Sequence, residues 1–256
     1  AVIAMAQVPG NYHNRIAIYD PNLLKKTGDE LIMLSDVQRG MDAKEFRFFL
    51  QPKVNMLNGK IVGAEALVRW AHKSKGIVGP GVFVPILEDN GFITNLDRYI
   101  WEEVCRWIRS WIDRGREPVP VSVNVSQVDI FAGDVADYFV NLIKEYDLTP
   151  DMIDIEITES AYAKEYTLIN KTVDKLRNVG FKVLLDDFGS AYSSLNMLRR
   201  LKVDVLKLDM QFLDEKYEDE ITEKGISILD SIVGMSNQLG LPMIVEGVEN
   251  LQQVEM

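Results

Sequence analysis

Apolar positions along the chain change period several times, and each change marks an element. Leu24, Leu31, Leu34, Val37 and Met41 recur at helical spacing and predict a helix over residues 23–41. Asp20 and Pro21 form its start signal, and Gly28 interrupts the pattern enough to allow two shorter helices. The period then shortens. RFFLQPKV reads as a strand, Asn58-Gly59 as a tight hairpin turn and IVGAEALVRW as the antiparallel partner strand. A short helix ends at Gly91. A longer one carries Leu96, Ile100, Val104, Trp107, Ile108 and Trp111 on one face and closes at Gly115, so its tryptophans read as core.

Beyond Gly115 strands and helices alternate. PVSVNVS, IDIEITES, KVLLDDF, VLKLDM and PMIVEGVE read as strands, separated by helices around residues 135–143, 168–176, 194–201 and 226–239. Repeated βα units predict an α/β fold, a TIM-like (β/α) barrel with an antiparallel first strand. The hairpin and these five units supply seven strands, and the chain ends at Met256 with no eighth strand. Open sheet edges are an association liability, met by further chain or by a partner. Residues 1–45 read as a leader and connecting segment ahead of a main domain over 46–256.

Composition narrows the classes. At 256 residues and 47% hydrophobic, the chain can bury one sizeable core. No apolar run reaches the roughly 18 residues of a membrane span, and the first residues lack a signal-peptide pattern, so a cytoplasmic chain is expected. Cys105 is the single cysteine, read as a packed thiol, which excludes disulfide frameworks and cysteine-ligated zinc. His13 and His72 read as surface or loop residues. A net charge of −11 argues against DNA as a partner but leaves an anionic substrate open, because bound divalent cations invert the local field.

The strand ends carry the chemistry. Glu65 ends the second strand, Asn124 the third, Glu156 and Glu159 the fourth, and Asp186 and Asp187 the fifth. Lys207 and Asp209 lie on the sixth, Glu246 and Glu249 at the seventh. Any one of these acids alone would read as a solvated loop residue or a helix cap. Acids at successive C-terminal strand ends, where barrels place their active sites, point instead to hard cations such as Mg²⁺ or Mn²⁺. Glu65, Asn124, Glu156 and Asp186 would hold one ion and Asp187 a second. Two ions roughly 3.5–4 Å apart can clamp a phosphodiester and activate a water. Lys207 would add fixed positive charge near that water or a phosphate oxygen, and Glu246 would accept a proton or hold the water.

These residues sit in motifs that resemble the EAL domain family. QPKV at Gln51, EALVRW at Glu65, SVNVS at Asn124, EITES at Glu156, DDFGSAYSSL at Asp186, LKLD at Lys207 and VEGVE at Glu246 run in the family's order. The resemblance implies a cyclic-di-GMP phosphodiesterase that opens the ring to linear pGpG with two Mg²⁺ or Mn²⁺ ions and is inhibited by Ca²⁺. It carries the metal and water roles onto the residues named above. It makes Gln51 and Arg69 contacts to guanine and phosphate, groups Asp209 and Glu249 with the substrate, and gives Glu159 and Ser190 the anchoring of the loop after Gly189. It implies dimerisation through the region after the DDFG stretch that ends at Gly189. The family usually has threonine and glycine where this chain has Ser190 and Ala191, so an impaired cyclic-di-GMP receptor is the alternative. The first twenty residues resemble the end of a GGDEF domain, which implies an upstream GGDEF or sensor domain.

Overall fold

The structure is a computed structural model that describes residues 21–164, 166–189, 202–209 and 223–248. The predicted leader with His13, the loop containing Ser190 and Ala191, the helix over 194–201 and Glu249 lie outside them.

Helix α1 (Pro21–Asp42) begins at the predicted proline and runs on through Gly28. One interior glycine costs only about 1 kcal/mol relative to alanine, too little to divide a helix of 22 residues. Strands β1 (Phe46–Val54) and β2 (Ile61–His72) flank the predicted turn. The turn is closed by Asn55 N–H donating to Lys60 O at 2.9 Å, with Gly59 at φ 66°. Strand β3 (Gly76–Val78) folds back antiparallel onto β2, pairing Val78 with Trp70. Three residues are too few to leave a periodicity, and the sequence pattern does not reveal it.

Helices α2 (Pro80–Asp89) and α3 (Ile93–Asp113) follow, then β4 (Val121–Asn124), α4 (Gln127–Ala132) and α5 (Val135–Glu145). Next come β5 (Ile153–Thr158), α6 (Glu159–Lys164), α7 (Tyr166–Val179) and β6 (Lys182–Asp186). Strand β7 (Val205–Asp209), helix α8 (Glu223–Leu239) and strand β8 (Met243–Glu246) complete the series. The sheet order is β1-β2-β4-β5-β6-β7-β8, with β3 beside β2, and every pairing from β2·β4 to β7·β8 is parallel. This is the expected TIM-like sheet with an antiparallel first strand. Seven strands lie on its path, and no further strand closes it among the described residues.

The chain forms two compact units. The first takes Ala1–Arg47 and Arg69–Phe92. Its core stacks Phe46 on Trp70 at 5.0 Å, with Phe83 edge-on to both. The Trp70 indole N–H donates to the buried Glu45 carboxylate at 3.0 Å. Gly40 is required there, because a Cβ would lie 2.8 Å from the Trp70 nitrogen. His72 corrects the sequence reading: it is buried, packed against the Trp70 ring, and its Nδ1 accepts backbone N–H bonds from Ser74 and Lys75.

The second unit takes Phe48–Val68 and Ile93–Met256. Along its strands, alternation sorts the residues by face. Val121, Val123, Ile155, Ile157, Val183, Leu185, Leu206 and Leu208 are buried and apolar. The intervening positions hold Ser122, Asn124, Asp154, Glu156, Thr158, Asp186, Lys207 and Asp209, with the buried Leu184 as an apolar exception. Cys105 is a packed thiol, as expected, and burial pushes it up to about 12.

Candidate metal centre

Backbone pairing brings the polar face together. The parallel ladders set Glu65 beside Ser122, Asn124 beside Glu156, Thr158 beside Asp186 and Asp209 beside Glu246. Lys207 reaches into the middle of this row. Its ammonium lies 2.6 Å from Glu156 Oε2, 2.9 Å from Glu246 Oε1, 3.0 Å from Glu65 Oε2 and 3.1 Å from Asp186 Oδ1, while the lysine is only 1% exposed. Burial would favour its neutral form. The surrounding acids, Glu156 first, outweigh this and hold its pKa above the ordinary lysine value.

The acids differ according to the positive charge each receives. Glu156 is held by two lysines: Lys207 on Oε2, and Lys53 of β1 on Oε1 at 2.8 Å. Burial pushes Glu156 up, but the two ammonium groups overcome it and its pKa falls below the usual value. Glu65 shares only Lys207. Burial, reinforced by the charge of Glu156, raises it to about 7. Glu246 is also raised, first by burial.

Oxygens of Glu65, Glu156 and Asp186 lie within 4.8 Å of one another, a spacing that one cation can span. The Lys207 ammonium already rests against all three, so the pocket between them accepts a cation. Carboxylate oxygens with no sulfur or imidazole among them are a hard donor set, suited to Mg²⁺, Mn²⁺ or Ca²⁺. Asn124 borders the same set, its amide nitrogen donating to Glu65 Oε1 at 3.1 Å. Its backbone carbonyl oxygen accepts the Trp101 indole N–H at 3.0 Å, which ties the end of β4 to α3.

The remaining predicted residues are placed as follows. Asp187 is exposed, adopts φ 56°, and donates its backbone N–H to Asp186 Oδ1 at 2.9 Å. Its carboxylate is not one of the three grouped oxygens, and partial desolvation by the surrounding chain, followed by the charge of Asp186, raises its pKa although the residue as a whole is exposed. Glu159 opens α6 rather than ending β5. It is fully buried, and its Oε2 accepts the Gly189 N–H at 2.7 Å, which pins the turn after Asp187. Asp209 is half-buried at the end of β7. Gln51 is exposed on β1, and Arg69 is half-buried four residues beyond Glu65 along β2. Lys53 and Ser122 escaped the sequence reading. The signal was parity: Lys53 lies two residues from Gln51 on the same strand face, a lysine pointing toward an acid-lined interior.

Glu65 lies within β2 rather than at its end, as the sequence reading had it, yet its carboxylate joins those of Glu156 and Asp186 on a mostly parallel, TIM-like βα sheet. The sequence model of the EAL domain family matches residues 34–256, and the chain belongs to that family. It is similar to the bifunctional diguanylate cyclase/cyclic di-GMP phosphodiesterase MucR of Pseudomonas aeruginosa, 30% identical over 252 residues, covering 98% of this chain and 36% of MucR. The cyclic di-GMP phosphodiesterase NbdA of the same organism is also 30% identical, over 254 residues, covering 99% of this chain and 32% of NbdA. The chain thus spans about a third of the length of these relatives. A solved structure of the PaMucR phosphodiesterase in complex with c-di-GMP superposes with a TM-score of 0.80 at 32% identity, covering 88% of this chain and 90% of that one.

Proposed function

We propose that this chain is a cyclic-di-GMP phosphodiesterase that hydrolyses one phosphodiester bond of the ring to give linear pGpG. The carrying observation is the convergence of carboxylate oxygens of Glu65, Glu156 and Asp186 within 4.8 Å of one another, bordered by the Lys207 ammonium. Likeness to relatives named for this activity supports the substrate class.

In this reading Glu65, Asn124, Glu156 and Asp186 hold one Mg²⁺ or Mn²⁺ and Asp187 contributes to a second. Such ions supply Lewis acidity toward the phosphodiester and acidify a water. The water oxygen forms the new bond to phosphorus as the P–O3′ bond breaks, the water's proton passes to a base, and the leaving O3′ takes a proton from solvent to become the 3′-hydroxyl. Glu246, a carboxyl raised by burial beside Lys207, is the group proposed to take that proton. Lys207 supplies fixed positive charge toward the developing phosphorane. Gln51, Arg69, Asp209 and Glu249 are assigned to the nucleotide, and Glu159 and Ser190 to the loop after Gly189.

A second reading, a receptor that binds the dinucleotide without turning it over, is favoured by one observation: the Asp187 carboxylate stands apart from the three grouped oxygens. Incubation with cyclic di-GMP and Mn²⁺ or Mg²⁺ separates the two. Formation of pGpG, lost in Glu65→Ala, supports the enzyme; tight binding without product supports the receptor. Residues 1–45 are proposed as a segment connecting an EAL domain over 46–256 to an upstream GGDEF or sensor module. The whole protein is proposed to act in the cytoplasm as a homodimer through the region following Gly189. Sedimentation of the chain with and without cyclic di-GMP tests the dimer.

A further inference from the structure

Lys53 stands under the acidic cluster and belongs to none of the roles above. Its ammonium donates to Ser122 Oγ at 2.7 Å and to Glu156 Oε1 at 2.8 Å, and its side chain is 10% exposed. The two oxygens of Glu156 are therefore divided. Oε2 faces the point shared with Glu65 Oε2 and Asp186 Oδ1, all three against the Lys207 ammonium. Oε1 turns the other way and is held by Lys53. The Glu156 side chain is fully buried, so no water competes for that oxygen.

We propose that Lys53 is a specificity-determining positioning residue: by occupying Glu156 Oε1 it restricts Glu156 to one ligand oxygen and biases the site toward small octahedral cations over Ca²⁺. The inference rests on the metal-centre reading. The chemistry is a matter of coordination number. Ca²⁺ takes six to eight oxygens and accepts both oxygens of one carboxylate, whereas Mg²⁺ demands near-ideal octahedral geometry at shorter distance. With Oε1 held by Lys53 and one lone pair of Oε2 taken by Lys207, Glu156 presents the ion with the remaining lone pair of Oε2 and cannot bind it through both oxygens. Freed of Lys53, Glu156 regains a second donor, which serves the larger ion and blurs the geometry for the smaller. Ser122 completes the device. It pairs with Glu65 across the β2·β4 ladder, and its hydroxyl fixes the ammonium in place.

The test measures Mn²⁺ and Ca²⁺ affinity by calorimetry, without substrate, on the chain and on Lys53→Met and Lys53→Arg, with folding checked by circular dichroism. Loss of an outer hydrogen-bond partner weakens metal binding about 10–100-fold. Lys53→Met is expected to lose Mn²⁺ affinity in that range while Ca²⁺ affinity holds or rises, so the Ca²⁺/Mn²⁺ affinity ratio climbs at least about tenfold. Lys53→Arg, which keeps a charged donor, is expected to return the ratio toward that of the parent chain. Should Lys53→Met fail to fold, Ser122→Ala is expected to move the ratio the same way by a smaller factor. An unchanged ratio in a folded variant, or equal weakening for both ions, overturns the role given to Lys53 and leaves the metal centre standing. Absence of divalent-ion binding by the parent chain overturns the metal centre itself.

Discussion

An ammonium with three protons faces four carboxylates at Lys207, all within 3.1 Å and almost wholly out of water. Two lysines against four acids leave the cluster short of positive charge, so burial, reinforced by the charge of Glu156, pushes Glu65 up while doubly held Glu156 is not raised. Lys207→Met should therefore destabilise the metal-free protein by about 3–5 kcal/mol, the range for removing one partner from a buried ion pair. Urea unfolding with and without Mn²⁺ reads this, and Mn²⁺ should restore part of the loss. Glu65 also sets a pH dependence. Its native pKa, about 7, lies above its ordinary 4.5, so the native state binds more protons across that interval. The associated stability is present below pH 4.5 and lost as pH rises through 7, at no more than about 1.4 kcal/mol per unit. Glu156 has the opposite sign, its contribution being lost as pH falls. Metal-free melts between pH 5 and 8 should show the Glu65 slope, and Glu65→Gln should flatten it.

At the scale of elements, strand pairing decides which residues meet, and short helices hold the strand ends. Helix α4 carries a capping box in which Ser126 and Asp129 satisfy each other's backbone N–H groups. Glu159, at the start of α6, holds the turn that follows Asp186 and Asp187. Glu159→Gln keeps the size but removes the charge on the acceptor of the Gly189 N–H. It should cost about 1–3 kcal/mol in denaturant unfolding and reduce Mn²⁺ affinity, because the turn that orients Asp187 loosens. Much of this level was readable. Hydrophobic period located α1, α3, α5, α7 and α8, and the Asn-Gly turn located the β1–β2 hairpin. The misses have physical causes. Strand β3 is three residues long. Helix α4 shows itself only through the Ser126–Asp129 spacing. At Glu159 strand and helix meet with no intervening loop, so the change of period has no punctuation.

For the whole molecule, the proposed metal binding at the acidic cluster couples to folding. Ions that bind only the native state stabilise it by mass action, so Mn²⁺ at about 100 times its dissociation constant should add about 2.7 kcal/mol, and chelator should remove it. Thermal melts at stepped Mn²⁺ concentrations test this. A flat response would contradict a preformed site. No helix among the described residues is long and apolar enough to cross a membrane. The buried Cys105 thiol should resist alkylation at pH 8 until the protein is unfolded, as a maleimide time course would register.

The sequence by itself determined the alternation of strands and helices, the acids at successive strand ends and the family motifs, because period and residue type are local properties of a chain. It also exposed the polar set whose burial demands a counter-charge. Only the tertiary structure decided how that demand is met. Lys207 reaches four carboxylates and Lys53 takes the far oxygen of Glu156, contacts between residues 21 to 142 positions apart in the first case and 103 in the second. His72 is the opposite case: Trp70, Ser74 and Lys75, which enclose it, are its neighbours along the chain, and the turn between β2 and β3 folds them around its ring. Spacing along a strand fixes which face a side chain occupies; which partner waits there depends on strand register and on the stagger of the sheet.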